Sequence, residues 1–139
     1  VNRLRKTAFE LLMTDHYIDC RNCGKRKNCQ LLKIAGYLKI KIEPKRFKKL
    51  QRNLPIDSSH KLFIYNPNKC IKCGKCVFIS QREGCGVFNF VNRGVETIIS
   101  TFGNLPLEKV GCSYCLECVK ICPTGALLEK EKVDEFVKI

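Results

Sequence analysis

Apolar residues fall into short runs whose period changes along the chain. From Asn2 to Met13, Leu4, Ala8, Leu11 and Leu12 recur at helical spacing, which predicts an amphipathic helix whose apolar stripe is ordinary core. Leu31, Leu32, Ala35 and Leu38 repeat that spacing and predict a second helix that closes a small first lobe over residues 1–38. The pattern lapses over 39–61, a basic stretch with Pro44 and Pro55 that predicts an irregular connector with one short helical turn around Phe47 and Leu50. Leu62-Phe63-Ile64-Tyr65 predicts a strand, and Phe88 to Val91 and Val95 to Ser100 predict two more around Asn92-Arg93-Gly94. These elements belong to a second lobe over 62–128, followed by a charged tail, 129–139, that reads as a docking helix or a frayed end. Helices and short strands together give an α+β class.

Eleven cysteines in 139 residues change the picture from packing to chemistry. Cys112-x2-Cys115-x2-Cys118-x3-Cys122-Pro123 is the bacterial ferredoxin run that holds cubane iron–sulfur clusters. Three cysteines at two-residue intervals wrap a loop around one cubane, and the cysteine before proline reaches a different one. The motif therefore demands a partner loop. Cys70-x2-Cys73-x2-Cys76 repeats the spacing upstream, an internal duplication, and a short helix is expected after each triplet. A disulfide framework fits poorly, because disulfides belong to oxidising compartments and no signal-peptide apolar region opens the chain.

The duplication is imperfect, because Ser80 stands four residues beyond Cys76, where a fourth cysteine is expected. Three outcomes follow: a serine-ligated or three-iron cluster, loss of that cluster, or replacement by a nearby thiolate. Two four-iron clusters need eight cysteines; Cys70, Cys73, Cys76, Cys112, Cys115, Cys118 and Cys122 supply seven, and Cys85 is the eighth by count. It lies in Glu83-Gly84-Cys85-Gly86, where glycine permits the backbone angles that a cluster loop requires.

The remaining cysteines form His16-x3-Cys20-x2-Cys23-x5-Cys29. One imidazole and three thiolates close a four-coordinate site, which suits either a further four-iron cluster or a structural zinc ion. A neutral imidazole in place of one thiolate makes a cluster less anionic and easier to reduce, as histidine ligation does in Rieske centres.

His16-Tyr17-Ile18-Asp19-Cys20, Cys23, Cys29, the segment Asn66 to Val77, Asn92-Arg93-Gly94, and Cys112 through Gly125-Ala126-Leu127 occur in the order of one group. The chain resembles the iron–sulfur electron-input region shared by iron-only hydrogenases, the large iron–sulfur subunit of NADH:quinone oxidoreductase, and NAD-linked formate dehydrogenases. The resemblance implies a small helical His/Cys lobe followed by a bacterial ferredoxin-like domain with two four-iron clusters. It also implies three [4Fe–4S] clusters. His16, Cys20, Cys23 and Cys29 would hold the first. Cys70, Cys73, Cys76 and Cys122 would hold the second, and Cys112, Cys115 and Cys118 the third, with Ser80 at the family's fourth position and Cys85 as its replacement. The expected function is a non-catalytic electron-transfer subunit serving a flavin-, molybdenum- or hydrogen-activating partner. A zinc-stabilised interaction module and a free ferredoxin-like shuttle are the alternatives. The small stretch after Leu127 leaves no room for a hydrogen-activating or molybdopterin domain, so the reading is of a stand-alone subunit.

The polypeptide carries a net charge of +13, from 26 Lys and Arg against 13 Asp and Glu. Three thiolate-bound clusters would offset about five of these charges, from the ligand sets of such centres. Lys45, Arg46, Lys48, Lys49 and Arg52 concentrate in the connector, where they either steer an acidic redox partner or subunit, such as a ferredoxin, or form a solvated basic face with no partner. No aromatic-interleaved RNA motif or helix-turn-helix pattern accompanies the charge, which argues against nucleic acid. No run approaches the roughly 20 apolar residues of a membrane span. A cytoplasmic setting is expected, and the density of thiolates suggests an anaerobe. His60 falls outside any ligand pattern and reads as a surface or hydrogen-bonded residue. No nucleophile–base set, phosphate loop or carboxylate pair suggests catalysis by this chain.

Overall fold

The computed structural model describes residues 1–50 and 52–131. In chain order it contains α1 (Asn2–Thr14), α2 (Gln30–Leu38), β1 (Phe63–Tyr65), α3 (Lys75–Arg82), β2 (Asn89–Val91), β3 (Ile98–Ser100), α4 (Glu117–Ile121) and β4 (Leu127–Glu129). The α+β class follows, with β1, β2 and β3 close to their predicted runs and β4 unpredicted. Among the described residues, no helix is long and apolar enough to cross a membrane.

The first lobe is α1 packed on α2. Leu31, Ala35 and Leu38 of α2 are buried as their spacing predicts, but the buried face of α1 is Phe9 and Met13. The predicted stripe is largely turned outward: Leu4 is 74% exposed and Leu11 51%. Phe9 and Met13 are an i,i+4 pair, and the side chain of each covers the turn before it, so together they form the ridge that meets α2. At the end of α2, Lys39 adopts a left-handed conformation (φ 51°), and the N–H groups of Lys39 and Ile40 turn back to the Gly36 and Ala35 carbonyls.

Among the described residues, the connector forms no helix, so the turn predicted around Phe47 and Leu50 is absent. Its local bonding is spent elsewhere. Leu50 N–H donates to the Thr14 carbonyl at the end of α1 (2.8 Å), and the Arg46 guanidinium lies over the Phe47 ring while pairing with Glu10. Lys49 pairs with Glu43. Arg52, mostly buried, bonds Asp15 and donates to the main-chain oxygens of Val95 and Thr97. Arg52 is thus no part of an exposed basic face, and three of the five connector cations are engaged internally. Asp15 also pairs with Lys72, so one carboxylate joins the first lobe, the connector and the first cysteine triplet.

In the second lobe, β1 and β4 pair antiparallel with Tyr65 opposite Leu127 and Phe63 opposite Glu129, bringing the two ends of the lobe together. β2 and β3 form an antiparallel hairpin, Phe90 opposite Ile99. α3 and α4 pack against one another, and Phe63, Val77, Phe88, Ile99, Leu107 and Leu127 are among the residues of the core between these elements. Glu129 lies in β4, and from residue 132 onward the predicted tail lies outside the described residues.

His60 is not on the surface. It is 1% exposed, its ring lies 4.0 Å from that of Phe63 and 5.0 Å from that of Tyr114, and its Nδ1 accepts from Leu62 N–H. An imidazole offers two flat apolar faces, which explains its place between two aromatic rings.

Candidate metal centres

The two cysteine triplets are mounted on loops that repeat one another in backbone detail. Lys72 and Tyr114, each between the first and second cysteine, have φ of 54° and 57°. Gly74 and Leu116, each between the second and third, have φ of 74° and 61° and stand at the N-termini of α3 and α4. Left-handed conformations are costly for lysine, tyrosine and leucine, and such residues cluster where local geometry serves a site. Here the curled backbone turns amides toward sulfur. Lys72 N–H donates to Cys70 Sγ (3.3 Å) and Tyr114 N–H donates to Cys112 Sγ (3.4 Å).

Each loop opens on a cavity lined by four thiols. Cys70, Cys73, Cys76 and Cys122 line one, closed by Tyr65, Ile99 and Leu127. Cys85, Cys112, Cys115 and Cys118 line the other, closed by Phe63, Val87 and Phe88. Cys122 belongs by sequence to the second triplet's motif yet lines the first triplet's cavity, as the crossed arrangement of two-cluster sites requires. Apolar walls also explain the thiols. Burial pushes Cys70 up to about 11 and Cys118 up to about 12, and raises Cys76 and Cys112 as well. Thiolates form there readily only when a cation compensates them, which is what iron supplies on binding. Cys73 and Cys115, the middle cysteines, are exposed.

Ser80 and Cys85 have different duties in this geometry. Ser80 is 5% exposed; its hydroxyl donates to the Val77 carbonyl (3.0 Å) and accepts from Phe88 N–H (3.4 Å). Its main-chain oxygen accepts from both Cys85 N–H (3.1 Å) and Gly86 N–H (2.9 Å), folding the loop after α3 back over the cavity. Gly84 and Gly86 flank Cys85 with φ of 76° and 53°, the region that favours glycine. Ser80 thus positions Cys85, and Cys85 brings a fourth sulfur to the cavity.

The first set is built differently. Cys23 and Cys29 are buried, and both are close enough to Cys20 to raise its thiol, after burial as the larger cause. His16 is half-buried, and burial holds its imidazole below the ordinary range. Its Nδ1 lies 3.0 Å from the Lys69 carbonyl. A carbonyl only accepts, so Nδ1 carries the proton and Nε2 keeps its lone pair, the tautomer of a metal-binding histidine held by its outer partner. Gly125 touches this set from the other lobe: a Cβ there would stand 2.6 Å from Cys23 Sγ. Sequence reasoning missed the Lys69 carbonyl and Gly125. The glycine two residues after Pro123 was the available signal, since glycine often marks close approach.

A family model described as the NADH-ubiquinone oxidoreductase-G iron–sulfur binding region matches residues 5–43, which contain His16, Cys20, Cys23 and Cys29. The chain is 33% identical over 135 residues to the NADP-reducing hydrogenase subunit HndD of Solidesulfovibrio fructosivorans, covering 96% of this chain and 23% of that protein. It is 31% identical over 133 residues to the NAD-reducing hydrogenase HoxS subunit gamma of Cupriavidus necator, covering 91% of this chain and 54% of that subunit. A crystal structure of an NAD+-reducing [NiFe]-hydrogenase in the H2-reduced state superposes with a TM-score of 0.85 at 28% identity, over 93% of this chain and 55% of that one. The chain thus spans from under a quarter to just over half of these relatives.

Proposed function

This chain belongs to the iron–sulfur region shared by hydrogenase subunits and the G subunit of NADH-quinone oxidoreductase, and from that premise we propose that it relays electrons through three four-iron clusters. His16, Cys20, Cys23 and Cys29 hold the first, Cys70, Cys73, Cys76 and Cys122 the second, and Cys85, Cys112, Cys115 and Cys118 the third. The second lobe is on this reading a two-cluster ferredoxin-like domain. The observation that carries it is the pair of cavities, each lined by four thiols on loops of matching backbone conformation.

A bound cluster supplies one-electron chemistry at a potential that ligand type, hydrogen bonds to sulfur and solvent exposure set. The chain's residues act on those terms. Tyr65, Phe63 and Phe88 keep water from the two cavities, and the Lys72 and Tyr114 amides donate to ligand sulfur. The exposed Cys73 and Cys115 leave one edge of each set open to a redox partner. The partners are other subunits or domains of an oxidoreductase of the hydrogenase, formate dehydrogenase or NADH dehydrogenase type, in a cytoplasmic setting, and this chain supplies no catalytic site.

Anaerobic purification with iron, labile sulfide and zinc analysis tests the reading. Brown protein with about twelve irons, the sum of three four-iron clusters, is the expected result. Colourless protein with zinc at the same cysteines would overturn it in favour of an interaction module. Co-purification with an oxidoreductase supports the subunit role, and isolation alone from the native cell would make the chain a free shuttle.

A further inference from the structure

One buried hydroxyl stands between the first and second ligand sets. Thr124 is 1% exposed, and its Oγ1 lies 2.9 Å from the Lys69 carbonyl oxygen and 3.8 Å from Cys122 Sγ, while accepting from Ala126 N–H at 3.4 Å. The Lys69 carbonyl is the same group that accepts from His16 Nδ1 at 3.0 Å. A threonine hydroxyl has a single proton to donate. With Cys122 as a thiolate, sulfur can only accept, so that proton has two acceptors: the carbonyl that orients His16 and the sulfur of the second set.

We propose that Thr124 is a positioning residue that couples the two sets, its one O–H proton being shared between the Lys69 carbonyl and Cys122 Sγ. The coupling has a definite sign. More negative charge on Cys122 draws the proton toward sulfur, and the Lys69 carbonyl is then left to His16 alone. Its bond to Nδ1–H strengthens, the imidazole becomes a more basic donor at Nε2, and the first cluster becomes harder to reduce. The two sets therefore oppose one another's reduction more than their separation in charge alone would require. No contact between His16 and Cys122 is needed, because both bonds meet at one buried hydroxyl.

This inference rests on the cluster reading above, and its test separates the two. In the cluster-loaded chain, Thr124→Val keeps the shape and removes the proton, whereas Thr124→Ser keeps the proton. Potentiometric titration followed by electron paramagnetic resonance should show the histidine-ligated cluster of Thr124→Val shifted to a lower midpoint with an altered spectrum. Its dependence on the oxidation state of the second cluster should also shrink, and Thr124→Ser should titrate as the wild type does. If Thr124→Val does not load, Thr124→Ala compared with Thr124→Ser reads the same difference. A valine or alanine variant identical to wild type overturns the inference, as does a serine variant shifted equally, which would assign the effect to packing. A wild-type chain free of iron and sulfide overturns the cluster reading and the coupling with it.

Discussion

Ser80→Ala and Cys85→Ala should separate cleanly, because the structure gives the two residues different work. Removing the Ser80 hydroxyl leaves Phe88 N–H, in a residue 1% exposed, without its acceptor. An unpaired buried amide costs about 1–3 kcal/mol, so the alanine variant should lose its colour at a lower temperature. Its metal content should not change. The bonds that hold Cys85 over the cavity run to the Ser80 main-chain oxygen, at 3.1 Å from Cys85 N–H and 2.9 Å from Gly86 N–H, and alanine keeps that oxygen. Cys85→Ala keeps both of these main-chain bonds and removes one of four sulfurs, with only the weak bond of its thiol to the same oxygen (3.4 Å), so its cost falls on the cluster. From about twelve irons the count should drop by about one if a three-iron centre survives, or by about four if the cluster is lost, by the stoichiometry of such centres. Parallel iron and sulfide determination with electron paramagnetic resonance of the oxidised protein distinguishes these outcomes. Loss of iron in Ser80→Ala with a full complement in Cys85→Ala would refute the assignment and make serine the ligand.

His16→Cys should retain a four-iron cluster but lower its midpoint in a redox titration, since a thiolate adds negative charge that a neutral imidazole lacks; an unchanged midpoint would remove His16 from the ligand set. Gly125→Ala places a methyl group 2.6 Å from Cys23 Sγ, an overpacking that costs about 1–3 kcal/mol. It should selectively deplete the histidine-ligated cluster, leaving about eight irons, the content of two four-iron centres. Arg52→Ala breaks the Asp15 pair and two bonds to the β2–β3 region, and should lower stability by about 1.5–3 kcal/mol, the usual worth of hydrogen bonds to a charged group, without changing iron content. Stripping the clusters with a chelator should leave a chain without cooperative melting by circular dichroism, because ligand sets absent from the unfolded chain contribute their binding energy to folding.

Much of this architecture was legible because it is local. Cysteine spacing is a loop property, and the helices after each triplet and the hairpin around Asn92-Arg93-Gly94 follow from runs of a few residues. What failed was phase and partnership. Leu4, Ala8, Leu11 and Leu12 satisfy helical periodicity as well as Phe9 and Met13 do, and only α2 decides which face is covered. The basic connector looked like an open cationic surface, but Glu10, Glu43 and Asp15, which neutralise three of its charges, are distant in sequence or hidden by its irregular path. Of the two readings of His60, hydrogen-bonded holds and surface does not, because burial between Phe63 and Tyr114 joins segments more than fifty residues apart. The proposed replacement of Ser80 by Cys85 comes from counting alone. Its mechanism, a shared carbonyl and two left-handed glycines, needed coordinates.

The contacts between lobes run through the second ligand set, and this orders the three sets in space. Tyr17 N–H donates to the Asn68 carbonyl, His16 to that of Lys69, and Gln30 N–H to that of Pro123, while Gly125 faces Cys23. Asn68 and Lys69 lead directly into Cys70, and Pro123 and Gly125 follow Cys122, so both chain segments that supply the second set abut the first lobe. The third set, in contrast, lines a cavity walled by residues 63–118 of the second lobe alone. Cys122 then ties the second set to the third, because the motif that begins with three sulfurs at one cavity ends with a sulfur at the other. First to second to third is therefore the order of contact, although Cys122 of the second set follows the whole third set in the chain. On the proposed assignment, a break at either junction, at the Lys69 carbonyl or at Cys122, would divide the relay, and substitutions in the connector that leave those junctions intact would not.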